Sequence, residues 1–298
     1  MSQESLLTYT LVPSPCVLTK IVVIYIMEKG SLHSILKTTV YSSLAVQVIT
    51  GMIDVYVHFL PVFGELAIVK KLLGLELAVQ LIEGTFYVWF ASLFSSVKNI
   101  TPHRYYDWVI TTPTMLFTFC LYLDYLGKHD RQKKGLEPFV ETNYNDQSQY
   151  VKTSTPSLVP RSGVLAKKEL NEKDSLKNTT LLEYFNRHKK TFLAIFLLNW
   201  MMLIFGYLGE TGELDNYWAV SFGFVPFTLY FTIIYEKFAK YSSFYGKVLY
   251  WIMFKIWALY GLASLGSYYW KNISFNILDL FAKNFFGLLL AYTIYTNM

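Results

Sequence analysis

The chain has 298 residues, 53% of them apolar or aromatic and only 16% charged, against about 25% charged in an average soluble domain. A positive mean hydropathy and several apolar runs near the ~20 residues that cross a bilayer exclude a soluble enzyme, a disordered chain and a nucleic-acid binder, despite a net charge of +5. Two cysteines, Cys16 and Cys120, are too few for a disulfide framework or a metal cluster.

Residues 1–34 read as an N-terminal tail. Its apolar run, Leu18 to Met27, is interrupted by Lys20, followed by Glu28-Lys29 and too short to span, so it predicts an interfacial turn. The opening Met1-Ser2-Gln3-Glu4 lacks the basic start of a cleaved signal peptide. Seven spans follow by length and hydropathy, near 36–61, 66–96, 104–127, 190–209, 216–236, 245–267 and 273–296, here called A to G. The expected fold is an all-α, seven-transmembrane-helix bundle, with A–C within 35–127 and D–G within 190–298. Residues 128–189 form a long polar loop with too little apolar surface for a core, read as a solvated tether or a partner's docking site.

Basic residues set the orientation. Residues 128–190 hold 13 Lys/Arg, whereas the D–E connection holds Glu210, Glu213 and Asp215 and no Lys or Arg. Lys237, Lys240 and Lys247 mark the E–F connection, and Lys70-Lys71 the A–B side. The positive-inside rule then puts the N-terminus outside and the C-terminus in the cytoplasm. A multi-pass protein of the plasma membrane is expected, with the lipid bilayer as its first partner and a homo-oligomer left open. The sequons at Asn99 and Asn272 fall outside but hug the membrane.

Ionisable groups inside spans are functional candidates. Asp279 and Lys283 on helix G are four residues apart and share one face. Lys283 lies roughly ten residues into its span, near the midplane at about 1.5 Å per residue. An amine in an apolar pocket is what imine formation with an aldehyde requires, and the resulting cation needs a carboxylate. Asp279 offers one and Asp107 on helix C another, with Arg104 one turn before Asp107 and Thr111 one turn after it. Two carboxylates, one imine cation and one guanidinium sum to zero, the condition for a buried charge cluster. Two unrelated ion pairs locking helices together would use the same residues.

The segment Arg104-Tyr-Tyr-Asp107-Trp108-Val-Ile-Thr-Thr112-Pro113, with Asp279-Leu-Phe-Ala-Lys283 on the seventh span, resembles the microbial (type 1) rhodopsins over about 36–127 and 190–298. The resemblance implies all-trans retinal bound covalently to Lys283. Asp107 would be primary counterion and proton acceptor, Asp279 the second counterion, and Arg104 a bridge toward the outside. It also implies a retinal pocket of Trp108, Thr112 and Met115 on helix C and Met202 and Gly206 on D. Trp218 and Ser221 on E, with Trp257 and Tyr260 on F, would complete it. Asn199 stands where bacteriorhodopsin has an aspartate, and Gly261 replaces a proline of the family. The cytoplasmic donor position of outward pumps, eleven residues after the counterion, is Thr118, which cannot donate a proton at neutral pH.

Helices A and B carry polar stripes that a retinal pocket does not need. On A, Thr39, Ser43, Gln47, Thr50 and Asp54 share one face; on B, Glu76, Gln80, Glu83 and Tyr87 do. Inter-helix hydrogen bonds, worth about 0.6 kcal/mol each, are one explanation. A water-filled path made cation-selective by Glu76 and Glu83 is the other. The glutamates on helix B resemble those of channelrhodopsins, and the A and B patterns resemble rhodopsins of giant viruses and their protist hosts. The expected function is a light-gated cation channel, with an outward proton pump or a photosensor signalling through residues 128–189 as alternatives. No enzymatic activity and no metal are expected. Lys255 on helix F either snorkels to the cytoplasmic edge or tunes a gate.

Overall fold

The structure, a computed structural model, describes residues 15–92, 99–135 and 179–298, with side chains from Gly30 onward. Its helices are α1 (Pro15–Phe59), α2 (Leu66–Ser92), α3 (Thr101–Lys133), the short α4 (Leu181–Arg187), α5 (Lys189–Thr211), α6 (Asn216–Lys237), α7 (Phe244–Ala263), α8 (Tyr268–Asp279) and α9 (Phe285–Asn297). A π-helical turn over Leu280–Asn284 joins α8 to α9. No strand occurs among the described residues. Five stretches, Gly30–Phe59, Thr101–Lys133, Lys189–Thr211, Asn216–Tyr241 and Tyr268–Asn297, are long and apolar enough to cross a membrane. The other two rods are α2, charged by Lys70, Lys71, Glu76 and Glu83, and α7, weighted with Trp and Tyr.

The rods close a ring. α1 packs on α2, α2 on α3, α3 on α5, α5 on α6, α6 on α7 and α7 on α8, while α8 and α9 return to α1. Across the ring, α9 also meets α2 and α3 meets α7. The end near the α1–α2 connection is filled with aromatic rings. Phe117 meets Phe192 at 4.9 Å between centroids, and Phe227 meets Phe231 at 4.8 Å. Each such pair contributes about 0.5–1.5 kcal/mol beyond its buried area.

Local chemistry explains the boundaries. Thr180 accepts from the Glu183 N–H at 3.1 Å and Ser243 from the Gly246 N–H at 3.2 Å, capping α4 and α7. Pro113 interrupts α3 without breaking it. Its ring removes the N–H that Val109's carbonyl would accept, and the Trp200 indole of α5 donates to that carbonyl instead, at 3.0 Å. The helical hydrogen bond is replaced by one between helices.

Two segments differ from the sequence reading. The expected tail is helical from Pro15, because no proline interrupts the chain between Pro15 and Phe59, and its two glycines, Gly30 and Gly51, cost only about 1 kcal/mol each. The loop expected from 128 begins as helix: α3 continues to Lys133 and is supported by Asp124–Lys128 at 3.2 Å and Asp130–Lys134 at 2.7 Å. α4 then occupies 181–187, anchored by the Tyr184 hydroxyl donating to Asp124 at 3.1 Å. The rest of the expected loop, 136–178, and residues 1–14 of the expected tail lie outside the described residues.

Candidate functional site

The π turn carries Lys283 into the middle of the ring. There the Phe285 N–H reaches back to the Leu280 carbonyl, adding a residue to the turn, and Ala282, Lys283 and Asn284 are all buried. Lys283 Nζ sits 2.9 Å from Asp107 Oδ2, 3.4 Å from Glu83 Oε1 and 3.7 Å from Asp279 Oδ1. Glu83 is therefore a third carboxylate at the lysine, where the sequence reading had placed it only on an ion path. Residue spacing gives no signal for it, because the approach of Glu83 depends on where the π turn carries Lys283. The expected balance of two carboxylates against two cations becomes three against two.

Asp279 is held from the other side. It accepts from the Tyr87 hydroxyl at 2.8 Å, the Tyr260 hydroxyl at 2.7 Å and Arg104 at 3.2 Å. Arg104, 1% exposed, also donates to Asn272 Oδ1 at 3.2 Å and to Asn276 Oδ1, and lies among the rings of Phe86, Tyr87, Phe90 and Phe275. Asn272 donates to Thr101 and to the Tyr268 carbonyl, both at 2.9 Å, and Asn276 to Thr39 at 2.9 Å. Asn272 is fully buried, so its sequon is not a glycan acceptor. Sequence reasoning missed Asn272 and Asn276, although with Asp279 and Lys283 they recur at intervals of four, three and four residues.

Beyond the lysine an apolar cavity opens between α3, α5, α6 and α7. Trp108, Thr112, Met115, Met202, Gly206, Trp257 and Tyr260 line it, with Lys283 at its end. Thr112 accepts from Asn199 at 2.7 Å and donates to the Trp108 carbonyl at 2.7 Å. The structure corrects helix E. Trp218 is 59% exposed and stacks on Phe222, and Ser221 turns its hydroxyl back to the Tyr217 carbonyl. The inward face of α6 is Ala219, Val220, Gly223, Phe224 and Phe227, so the wall is set two residues further along than the resemblance implied.

The lining suits a long apolar group joined to an amine. Trp108, Trp257 and Tyr260 offer flat faces, and a Cβ at Gly206 or Gly261 would press on Tyr105 or Phe224. Trp257 Nε1 is buried with no partner. Trp251, a turn and a half before Trp257 on the same helix, is half exposed and does not line the cavity. Lys255 is exposed on the outer face of α7 and does not reach the site.

The ion-path residues form a second buried group between α1, α2 and the π turn. Gln47, Asp54, Glu76 and Gln80 are all at most 6% exposed. Gln80 donates to Asp54 Oδ2 at 2.7 Å and Asn284 to Thr50 at 3.2 Å. Thr111 is buried but spends its hydroxyl on its own helix, at the Asp107 carbonyl. Left without hydrogen-bond partners are both polar atoms of Gln47, both carboxyl oxygens of Glu76, Asp54 Oδ1, Gln80 Oε1 and Asn284 Oδ1.

Comparison with known proteins joins this geometry to a family. Residues 35–137 and 175–297 match the model described as Bacteriorhodopsin-like protein. A search of curated protein sequences finds no match. Among solved structures, the chain is similar to the viral rhodopsin OLPVRII, with a TM-score of 0.62 and 20% identity over 88% of this chain and 99% of that one. It is similar to the proton pumping rhodopsin AR2 from the marine alga Acetabularia acetabulum, with a TM-score of 0.55 and 17% identity over 89% and 97% of the two chains. The bromide-bound halorhodopsin from Halobacterium salinarum gives 0.57 and 12% over 91% and 97%. At these identities the likeness establishes the fold, the seven-helix rhodopsin bundle. Because the family match takes in more than half of the chain, the protein belongs to the bacteriorhodopsin-like family: it is a type 1 rhodopsin, a retinal-carrying, light-driven integral membrane protein.

Proposed function

We propose that this rhodopsin is a light-gated cation channel, with all-trans retinal on Lys283, its N-terminus outside and its C-terminus cytoplasmic in the plasma membrane. One observation carries the reading: the polar atoms of Gln47, Asp54, Glu76, Gln80 and Asn284 that are buried along one seam without partners. Burying such groups unpaired costs about 1–3 kcal/mol each, so the seam favours water or ions. Inter-helix hydrogen bonding, the competing explanation, would leave these atoms bonded to one another.

Retinal, when bound, supplies the absorption of light and an isomerisation at the end of the Lys283 side chain. Trp108, Trp257 and Tyr260 orient it and keep water from its length. Asp107 Oδ2, 2.9 Å from Lys283 Nζ, is the acceptor for the lysine's proton. Asp279 is the poorer acceptor, because Tyr87, Tyr260 and Arg104 already occupy its oxygens. Once Asp107 is neutral, the attraction between α3 and the π turn falls. The seam between α1, α2, α3 and α9 then fills, and its carboxyl oxygens, Glu83 first, favour cations over anions.

The test is whole-cell voltage clamp with retinal supplied and Lys283→Ala as the control. A photocurrent that reverses with voltage and follows the cation gradient is the expected result, and Glu83→Gln should then change conductance or selectivity. A current that stays outward at every potential, with Glu83→Gln leaving it intact, would overturn the channel in favour of a pump. A visible pigment that passes no current would overturn it in favour of a sensor.

A further inference from the structure

A second cavity lies on the outside of the bundle, away from the lysine. It is a groove of about 350 Å³ where α2, α3, α4 and α5 meet, lined by Leu75, Phe117, Leu181, Leu182, Phe185 and Phe196. Pro113 and Thr114, one turn further from α4 along α3, complete it. Thr114 is its polar lining residue, and that hydroxyl is already spent on the Ile110 carbonyl of its own helix, at 3.0 Å. The walls therefore offer apolar and aromatic surface and ask for no hydrogen bond, which suits an alkyl chain and not a polar segment. Two of the walls end in lysines. Lys71 stands one turn before Leu75 on α2, and Lys189 two turns before Phe196 on α5, so each is on the groove side of its helix toward the α1–α2 connection. At a rise of about 1.5 Å per residue they lie roughly 6 Å and 10 Å beyond the apolar lining. Both are exposed. Lys71 Nζ donates to the Thr179 carbonyl at 3.1 Å, which holds it at the mouth without neutralising it. Glu183, the acidic residue of α4, is engaged with Arg187 at 3.7 Å.

We propose that this groove binds one acyl chain of an anionic phospholipid from the leaflet on the side of the α1–α2 connection, with the lipid phosphate between Lys71 and Lys189. Charge selects the occupant. A zwitterionic lipid fills the groove equally well but brings no net negative charge to the two ammonium groups. A second copy of this chain is the other apolar body that a membrane supplies. Two copies in one membrane share an orientation, so the second would bring its own Lys70, Lys71, Lys189 and Lys190 to the same level, and like charges would meet. Seated in the groove, the chain covers Leu182, 70% exposed on α4, and ties that short helix to α2, α3 and α5. The site is independent of what the protein does with light.

The experiment is electron spin resonance on the full chain in phosphatidylcholine bilayers, with a trace of phosphatidylglycerol or phosphatidylcholine spin-labelled on the upper part of one acyl chain. The motionally restricted signal should resolve one site that prefers phosphatidylglycerol by about fivefold per lysine, the weight of one basic side chain at an anionic surface. Roughly 1 M salt should reduce that preference. Lys71→Gln combined with Lys189→Gln should abolish it while leaving the restricted phosphatidylcholine signal as it was, since glutamine at 71 can still donate to the Thr179 carbonyl. Thr114→Phe fills the inner end of the groove and should remove the preferred site. Leu182→Trp, which fills the groove from its exposed lip, decides the matter if Thr114→Phe does not fold. Equal restriction of the two lipids, a preference that survives loss of both lysines, or a preferred site that survives filling would each overturn the proposal. Efficient cross-linking of two copies through Leu182→Cys in the same bilayers would also overturn it, because a second copy would then cover the groove.

Discussion

Lys283 divides the polar interior into two halves built from similar side chains to opposite effect. Toward Arg104, the amides of Asn272 and Asn276, the Tyr87 hydroxyl and the Arg104–Asp279 pair close on one another through direct hydrogen bonds. Toward the α1–α2 connection, Gln47, Glu76, Gln80 and Asn284 are equally buried yet hold unpartnered atoms, and Asp54 and Glu76 have no cation paired with them among the described residues. The first half holds its shape unaided and shuts out water. The second is complete only with something added to it. Burial alone therefore does not distinguish a lock from a conduit; the state of the hydrogen bonds does.

The largest expected effect belongs to the closed half. Arg104→Ala takes the guanidinium from buried Asp279 and strands the Asn272 carbonyl, a cost of about 3–5 kcal/mol. Thermal unfolding of the pigment should show a marked fall in midpoint. If Asp54→Asn in the open half lowers the midpoint as far, the contrast between the halves is lost. The same closed end extends to Lys271 and Glu210, a pair at 2.7 Å with side chains 9% and 5% exposed, joining the start of α8 to the end of α5. Lys271→Met should cost about as much by leaving Glu210 unpaired, and adding Glu210→Met should recover most of the loss, since an apolar pair of similar volume is tolerated there. A double variant as unstable as the single one would mean that the pair contributes through packing and not charge.

A sharper comparison sets one amide against another. Asn276→Leu removes partners from Arg104 and Thr39 and should cost about 1–3 kcal/mol. Gln47→Leu removes no hydrogen bond, because both polar atoms of Gln47 are unpartnered, and should leave stability unchanged or raised while reducing photocurrent. Equal losses in the two unfolding curves would show that Gln47 is held by ordered water as firmly as Asn276 is held by protein.

Much of the site was legible because its chemistry is unusual in a membrane. Asp279 and Lys283 stand out as charges one turn apart in an apolar run, and Asp107 with Arg104 repeats that signal on helix C. The bundle followed from hydropathy, although α2 had to be read through its four charges. Helix E was misread because its residues are nearly all apolar or small, so Trp218 and Ser221 fit an inward face as well as Ala219 and Gly223 do; only packing against α5 and α7 chooses. The π turn has no sequence signal of its own. Without it, the approach of Glu83 to Lys283 cannot be worked out from residue spacing, which is why the third carboxylate emerged from the structure.

The smallest effect is expected at Lys255, on the outer face of α7. Trp251 and Leu259, one turn to either side of it, are 50% and 47% exposed, so this stripe faces the surroundings of the bundle and neither polar half. A lysine in that position lays its methylenes along the apolar surface and carries its ammonium toward the interface. Lys255→Ala should therefore keep the absorption spectrum, change stability by less than about 0.5 kcal/mol, and leave the reversal potential of the photocurrent where it was. A shifted reversal potential would be the informative failure. It would mean that charge on the outside of the ring is felt inside it, and that the division at Lys283 does not by itself decide which cations pass.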